Sequence, residues 1–341
     1  MTEQTHNDEL IKSIEEFLIK LNSKKIKEGH TRLYRGHSDE KFLLTPSIYR
    51  NDGKHIKYEH QMIYDLIASN PEELKELDPF HLLVKLQHYG CPTRLLDLTS
   101  NPLVALYFSV SESKNNNEIP NGEVMFFDIP NEKILYWNNP EVLVISSLSQ
   151  LKKDLFKDGI GSIILNLVKV YMELQDGIKT IKTNQNIKCN TTYFMEKAKQ
   201  TFIDILGQET FNEALAKSNI LPLISKISKL REITRHYVSE VEMNYIDTID
   251  KVFCVKPVAN NNRLINQSGY FFLYGSKLSV KTDCEEHSDL EYTPHKIKIS
   301  GDSKEIIKEQ LAALNISAFS LFPELEQRAI ATFNKYKYKE T

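Results

Sequence analysis

Leu86-Gln-His-Tyr-Gly-Cys-Pro-Thr-Arg-Leu-Leu-Asp-Leu-Thr-Ser-Asn-Pro-Leu-Val-Ala-Leu-Tyr-Phe-Ser109 is the stretch on which the reading of the fold turns. Gln87, His88, Thr93, Arg94, Asp97 and Thr99 are crowded into it, and Gly90, Pro92 and Pro102 punctuate it. The helical pattern Phe80 to His88 leads in. Leu103 to Val110 leads out, and Pro102 at a first helical position favours a helix there over a strand. The spacing of Arg94 and Asp97 suggests a bidentate pair that stiffens the connecting segment. On that reading Asp97→Ala strands a buried charge at a cost of roughly 3–5 kcal/mol. Each polar residue of the block has two readings, scaffold or pocket lining.

Working outward, Leu10, Ile11, Ile14, Phe17, Leu18 and Leu21 have helical spacing, opened by Asp8 as a cap. Thr31 to Gly36 reads as a strand entering a Gly turn, and Leu44 to Arg50 as extended chain before Pro46. Tyr58 to Ala68 reads as helical, and Gly122 to Ile129 as a buried strand. From about Ser147 to Glu240 the pattern is amphipathic and helical, with turn-like breaks at Asp158-Gly159 and Asn184 to Asn190. Strand-like sequence returns at Val252 to Val258, Leu264 to Tyr274 and Lys296 to Ser300. A helix is expected from Ser303 to Leu314, with Asp302 and Glu305 spaced as a capping box, and a last one from Pro323. Strands at both ends of a helical middle predict an α+β core with a mixed sheet. The division is 1–130, a helical insertion over 131–250, and 251–341 completing the core.

The chain has 341 residues, 41% of them hydrophobic, enough to bury a sizeable core. Lys plus Arg number 43 against 46 Asp plus Glu, so no global charge draws nucleic acid, although a local basic groove stays open. Cys91, Cys189, Cys254 and Cys284 are scattered without a C-x-x-C pair, which suits a reduced interior. With no leader pattern at the start and no apolar run of membrane-crossing length, the expectation is a cytoplasmic protein without membrane contact. The wealth of Lys, Asn and Ile matches an AT-rich bacterial source.

His81 and His88 share a helix face, but no third ligand accompanies them, so no metal is expected. Cys91 lacks a His–acid partner pattern and reads as filler rather than nucleophile. Lys226, Lys229, Arg231, Arg235 and His236 form a basic stretch, which is either a solvated face or a partner surface. Tyr34, Tyr89 and Tyr107 are candidates for stacking on a nucleobase, or for the core.

Tyr34-Arg35-Gly36, Leu44-x-Pro-Ser-x-x-Arg50, and Gln-His-Tyr-Gly-x-Pro-Thr-Arg-Leu-Leu-Asp-x-Thr-x-Asn-Pro-Leu-x-Ala-Leu-Tyr-Phe at 87–108 together resemble the FRG domain. Arg263 to Phe271 and Leu321 to Glu326 are similar to further stretches of that family. A second resemblance is to mono-ADP-ribosyltransferases. Asp97-Leu-Thr-Ser-Asn-Pro-Leu-Val-Ala-Leu-Tyr-Phe is similar to their Ser-Thr-Ser-x-Asp-Pro-x-x-Ala-x-x-Phe segment, which sets Thr99 on its last Ser and Asp97 on its first. Their early-strand Arg falls at Arg35. Their Glu-x-Glu or Gln-x-Glu before a strand falls on Gln267-Ser-Gly269, so Gly269 stands where a catalytic Glu is expected.

That resemblance implies an ADP-ribosyltransferase-like fold and a pocket for NAD. Arg35 would hold phosphate or ribose, Thr99 would orient ribose, and Gln267 would make polar contacts. Glu324 or Glu326 would supply the acid that stabilises oxocarbenium-like charge. Those two glutamates also suit a helix first turn for its dipole alone. The expected lining is Tyr34, Arg35, Gln87, His88, Arg94, Asp97, Thr99 and Gln267, with Arg35, Asp97 and Gln267 converging on one cleft. The function implied is an intracellular effector, a toxin or anti-phage defence protein acting on an unidentified macromolecule. The other class is a non-catalytic module recognising a nucleotide, nucleic acid or protein.

Overall fold

A computed structural model describes residues 10–111, 119–151, 251–275, 292–325, 328–330 and 332–333. Its seven strands are β1 (His30–His37), β2 (Leu95–Thr99), β3 (Gly122–Pro130), β4 (Ile134–Tyr136), β5 (Val252–Lys256), β6 (Gly269–Tyr274) and β7 (His295–Ile299). They form one mixed sheet in the order β4-β5-β6-β2-β1-β3-β7, antiparallel throughout except for the parallel β4–β5 pair. The fold is mixed α/β.

Period-2 alternation sorts the strand side chains into two apolar faces. On one face Leu95, Val255, Phe271 and Leu273 pack against the helices Pro79–His88 and Pro140–Ser147. The same face continues through Tyr34, Val124, Phe126 and Ile297 under the helices Ile14–Asn22, Pro102–Ser109 and Lys304–Ala313. The opposite face buries Leu33, Leu96, Leu98, Met125, Phe127 and Phe272 beneath Leu44, Ile48, Tyr49 and Ile56. Each such side chain contributes about 1.5–3 kcal/mol by leaving water.

Local chemistry sets the helix ends around the central block. Asp78 accepts hydrogen bonds from the backbone N–H groups of Phe80 and His81, with Pro79 at the first helical position. Asn101 accepts from the Leu103 N–H and opens the helix that follows Pro102. That helix lies so close to β1 that a Cβ on Gly36 would stand 1.9 Å from the Ala105 carbonyl oxygen. Only glycine fits there, which accounts for its place after Tyr34-Arg35.

Several elements differ from expectation. Asp8 lies outside the described residues, and the first helix starts at Ile14, capped by Ser13. Asp302 makes no cap, because a 3-10 turn over Gly301–Ser303 leads into the helix, and the capping box forms at Ser317 and Ser320 instead. Leu264 to Tyr274 is not one strand. Asn261 caps a short helix, Asn262–Asn266, the chain turns at Ser268 with φ +48°, and β6 begins at Gly269. β4 and the helix Pro140–Ser147 are built into the core beyond residue 130, and residues 152–250 of the expected insertion, with its basic stretch, lie outside the described part.

Candidate functional site

β1 and β2 meet in a single ladder pair, Tyr34 with Thr99, whereas β1 pairs with β3 along all eight of its residues. Beyond that pair the two strands part, and Arg35 occupies the wedge. Its Nη1 donates to the Asp97 carbonyl oxygen at 2.6 Å, replacing a backbone ladder bond, and its Nε donates to His37 Nε2 at 2.9 Å. Burial lowers the Arg35 pKa to about 10; Asp97 opposes that shift and Arg50 adds to it. Burial, Arg35 and Arg50 together push His37 down to about 3. His37 is therefore a neutral acceptor that fixes the Arg35 fork.

The Asp97 side chain is exposed and turned to the other face, where its Oδ1 accepts from Gln87 Nε2 at 2.8 Å. Gln87 Oε1 in turn accepts from Thr93 Oγ1 at 2.6 Å. Asp97 does not pair with Arg94. Arg94 is buried and forms a two-pronged ion pair with Glu59, through Nε at 2.9 Å and through Nη2. The reason is strand geometry: residues three apart along extended chain point to opposite faces. Glu59 lies far upstream with no local signal to betray it.

Gln87, His88, Asp97, Asn261, Arg263, Gln267 and Phe271 line a cavity of about 160 Å³. A second cavity of about 260 Å³ adjoins it, sharing Val84, His88 and Asn261 and reaching His81, Lys85 and Tyr89. The C-terminal segment forms one wall. Gln267 Nε2 donates to the Leu321 carbonyl, and the Arg263 guanidinium sits 4.9 Å over the Phe322 ring. His88 Nε2 lies 2.8 Å from Glu324 Oε1 without hydrogen-bond alignment, so both Glu324 oxygens are buried with no donor. Burial and Arg263 hold the His88 pKa below the usual histidine value although Glu324 raises it.

Of the residues singled out from sequence, Gln87, His88, Asp97 and Gln267 share one cavity with Glu324 against His88, whereas Arg35 lines neither cavity and reaches only the Asp97 backbone carbonyl, from the opposite face of the sheet. Arg94 is not among them. Tyr34 is buried against Phe126, and Thr99 is buried with its hydroxyl donating to the Gln267 carbonyl and accepting from the Asn101 N–H. Glu326 lies outside the described residues. Burial and Glu59 push the Cys91 thiol up, away from nucleophilic character. Sequence reasoning passed over Arg50, Asn261 and Arg263 as site residues, although Arg50 closes a motif it did notice. Among the described residues no group of three His, Cys, Asp or Glu could hold a metal, and no helix is long and apolar enough to cross a membrane.

Residues 30–118 match the family model of the FRG domain, and the chain carries an FRG domain there. The match takes in β1, β2 and the helix Pro102–Ser109, while β5, β6 and β7 lie beyond it. No curated protein and no solved structure matches the chain.

Proposed function

We propose that the FRG domain and the strands that follow it form an ADP-ribosyltransferase-like nucleotide pocket whose ligand is NAD. The observation that carries this reading is a register row. Tyr34 pairs with Thr99, and Thr99 pairs with Gly269, so the three segments that resemble those enzymes lie side by side across the sheet. Arg35 then stands one residue from that row, in the wedge where the strands part. Thr99 acts as a positioning residue, holding the Gln267 carbonyl and the turn at Asn101.

Turnover would break the bond between nicotinamide and ribose C1′, with the electron pair leaving on the nicotinamide nitrogen. C1′ would then bond to an oxygen of water or of a target, whose proton passes to a carboxylate. Since Gly269 offers none, Glu324 beside His88 is the acid on this reading, stabilising positive charge as it builds. Such an enzyme would consume NAD as a toxin or anti-phage defence protein does. The absence of a carboxylate side chain at Gly269 favours a second reading, a module that binds the nucleotide without cleaving it. Incubating the pure chain with NAD, with calorimetry in parallel, separates them. Nicotinamide release that Glu324→Gln abolishes supports the enzyme; binding without release supports the module; neither binding nor release overturns both.

A further inference from the structure

The cavity of about 260 Å³ beside the site is lined by a histidine that takes no part in the reaction proposed above, His81. Asp78, which caps the helix Pro79–His88, accepts the N–H groups of Phe80 and His81 on Oδ1, both at 3.0 Å, and faces His81 Nδ1 with Oδ2. Burial raises the Asp78 pKa, but the bonds from His81 and from the backbone outweigh it and hold the carboxyl below its usual value. Oδ2 is therefore an acceptor, and this network puts the proton of a neutral His81 ring on Nδ1. Nε2 is left with a lone pair. It is closed off from solvent and has no hydrogen-bond partner among the described residues.

The rest of the cavity suits a flat, uncharged ring. Phe80 and Trp137 stand edge-on to the His81 ring, with centroids at 6.0 and 6.4 Å, and hold its orientation. Leu77 and Val84 supply apolar wall, and Tyr89, 71% exposed, offers an aromatic face on which a ring can stack. Lys85 also lines the cavity but is engaged by Glu73, at 2.8 Å from its carboxylate and 3.2 Å from its carbonyl. Burial and Arg263 hold His88 towards its neutral form, so little free positive charge invites an anion here. An enclosed acceptor left without a donor costs stability, and a ligand N–H supplies the missing bond.

We infer that this cavity is a subsite for a planar nitrogen ring carrying an amino or amide N–H, with His81 Nε2 accepting that hydrogen and Tyr89 lying along the ring. Adenine and nicotinamide share this chemistry. That the ring belongs to NAD rests on the reading proposed above. The cavity shares Val84, His88 and Asn261 with the one beside Asp97, so a ring held here leaves the rest of its nucleotide next to His88 and Glu324. Asp78 is a positioning residue, which fixes the His81 tautomer and does not touch the ring.

Calorimetric titration of the full chain tests this with NAD and two pairs of probes, adenosine against inosine and nicotinamide against nicotinic acid. The second member of each pair carries oxygen where the first carries the amino nitrogen. The parent is expected to bind the first member of one pair at least tenfold more tightly than the second, and that pair identifies the ring. His81→Asn keeps a donor for Asp78 but has no atom at Nε2, and should bring the ratio below twofold. His81→Phe, which keeps a ring against Phe80 and Trp137, should do the same and stands in if the first variant fails to fold. A parent that binds NAD with less than a tenfold preference in both pairs, or a preference that survives these substitutions, overturns the subsite and leaves the nucleotide pocket standing. A preference that the substitutions remove, in a parent that ignores NAD, upholds the subsite and overturns the nucleotide. A parent that binds none of the probes overturns both.

Discussion

Arg94 and Asp97 are three residues apart, yet they belong to regions with opposite physics. Arg94 is buried under the sheet with Glu59, where a charge without its partner would be intolerable. Asp97 is exposed at the edge of a cavity, hydrogen-bonded to Gln87, with its backbone carbonyl held by Arg35. One short strand thus serves as scaffold on one face and as site on the other, and the alternation of side chains along extended backbone keeps the two apart.

The comparison breaks first if the clamp is not a clamp. Glu59→Ala leaves the Arg94 guanidinium buried and unpaired and is expected to destabilise the fold by about 3–5 kcal/mol, read from urea unfolding. A loss below about 1 kcal/mol would remove the scaffold half of the argument. Gly36→Ala comes next. Its methyl would press on the Ala105 carbonyl, and overpacking of that kind costs about 1–3 kcal/mol, measurable as a lower melting temperature.

A third effect sharpens the site half through pH. His37 titrates at about 3 in the folded chain and near 6.5 when unfolded. The folded state resists protonation, so the contribution is complete above about pH 6.5 and is lost as pH falls from there towards 3. The slope is at most about 1.4 kcal/mol per pH unit. Unfolding of the parent and of His37→Gln across pH 4–7 should show the parent losing stability faster in acid, and parallel curves would contradict it. The smallest stability change expected is at Asp97→Ala, about 1 kcal/mol or less, because that side chain is exposed. Ligand binding, followed by calorimetry, should suffer far more than the melting temperature.

The sequence made much of this legible where chemistry is local. Pro79 and Pro102 mark helix starts, with Asp78 and Asn101 as their caps, and the apolar alternation of β3 gives a buried strand. Arg35 was grouped with Asp97 through the ADP-ribosyltransferase resemblance, and in the fold it reaches the Asp97 backbone carbonyl. What stayed hidden depends on distant residues. Glu59 pairs with Arg94 across 35 positions, and β4 is only three residues long, too short for a period to register. At Leu264 to Tyr274 the apolar run is shared by a helix and a strand, and only the cap at Asn261 and the turn at Ser268 divide it. Arg94 was assigned to Asp97 because nearness along the chain was weighed without the two-residue strand period.

Hydrogen–deuterium exchange of the full chain with and without saturating NAD tests the central claim, that the cavity lined by Gln87, His88, Asp97 and Gln267 is a ligand site to which Arg35 is joined through the Asp97 backbone carbonyl. Slower exchange in the presence of NAD is predicted at residues 35–37, 95–101 and 267–271, with the Glu59 segment unchanged. Protection confined to other parts of the chain, with these three stretches unaltered, would contradict it.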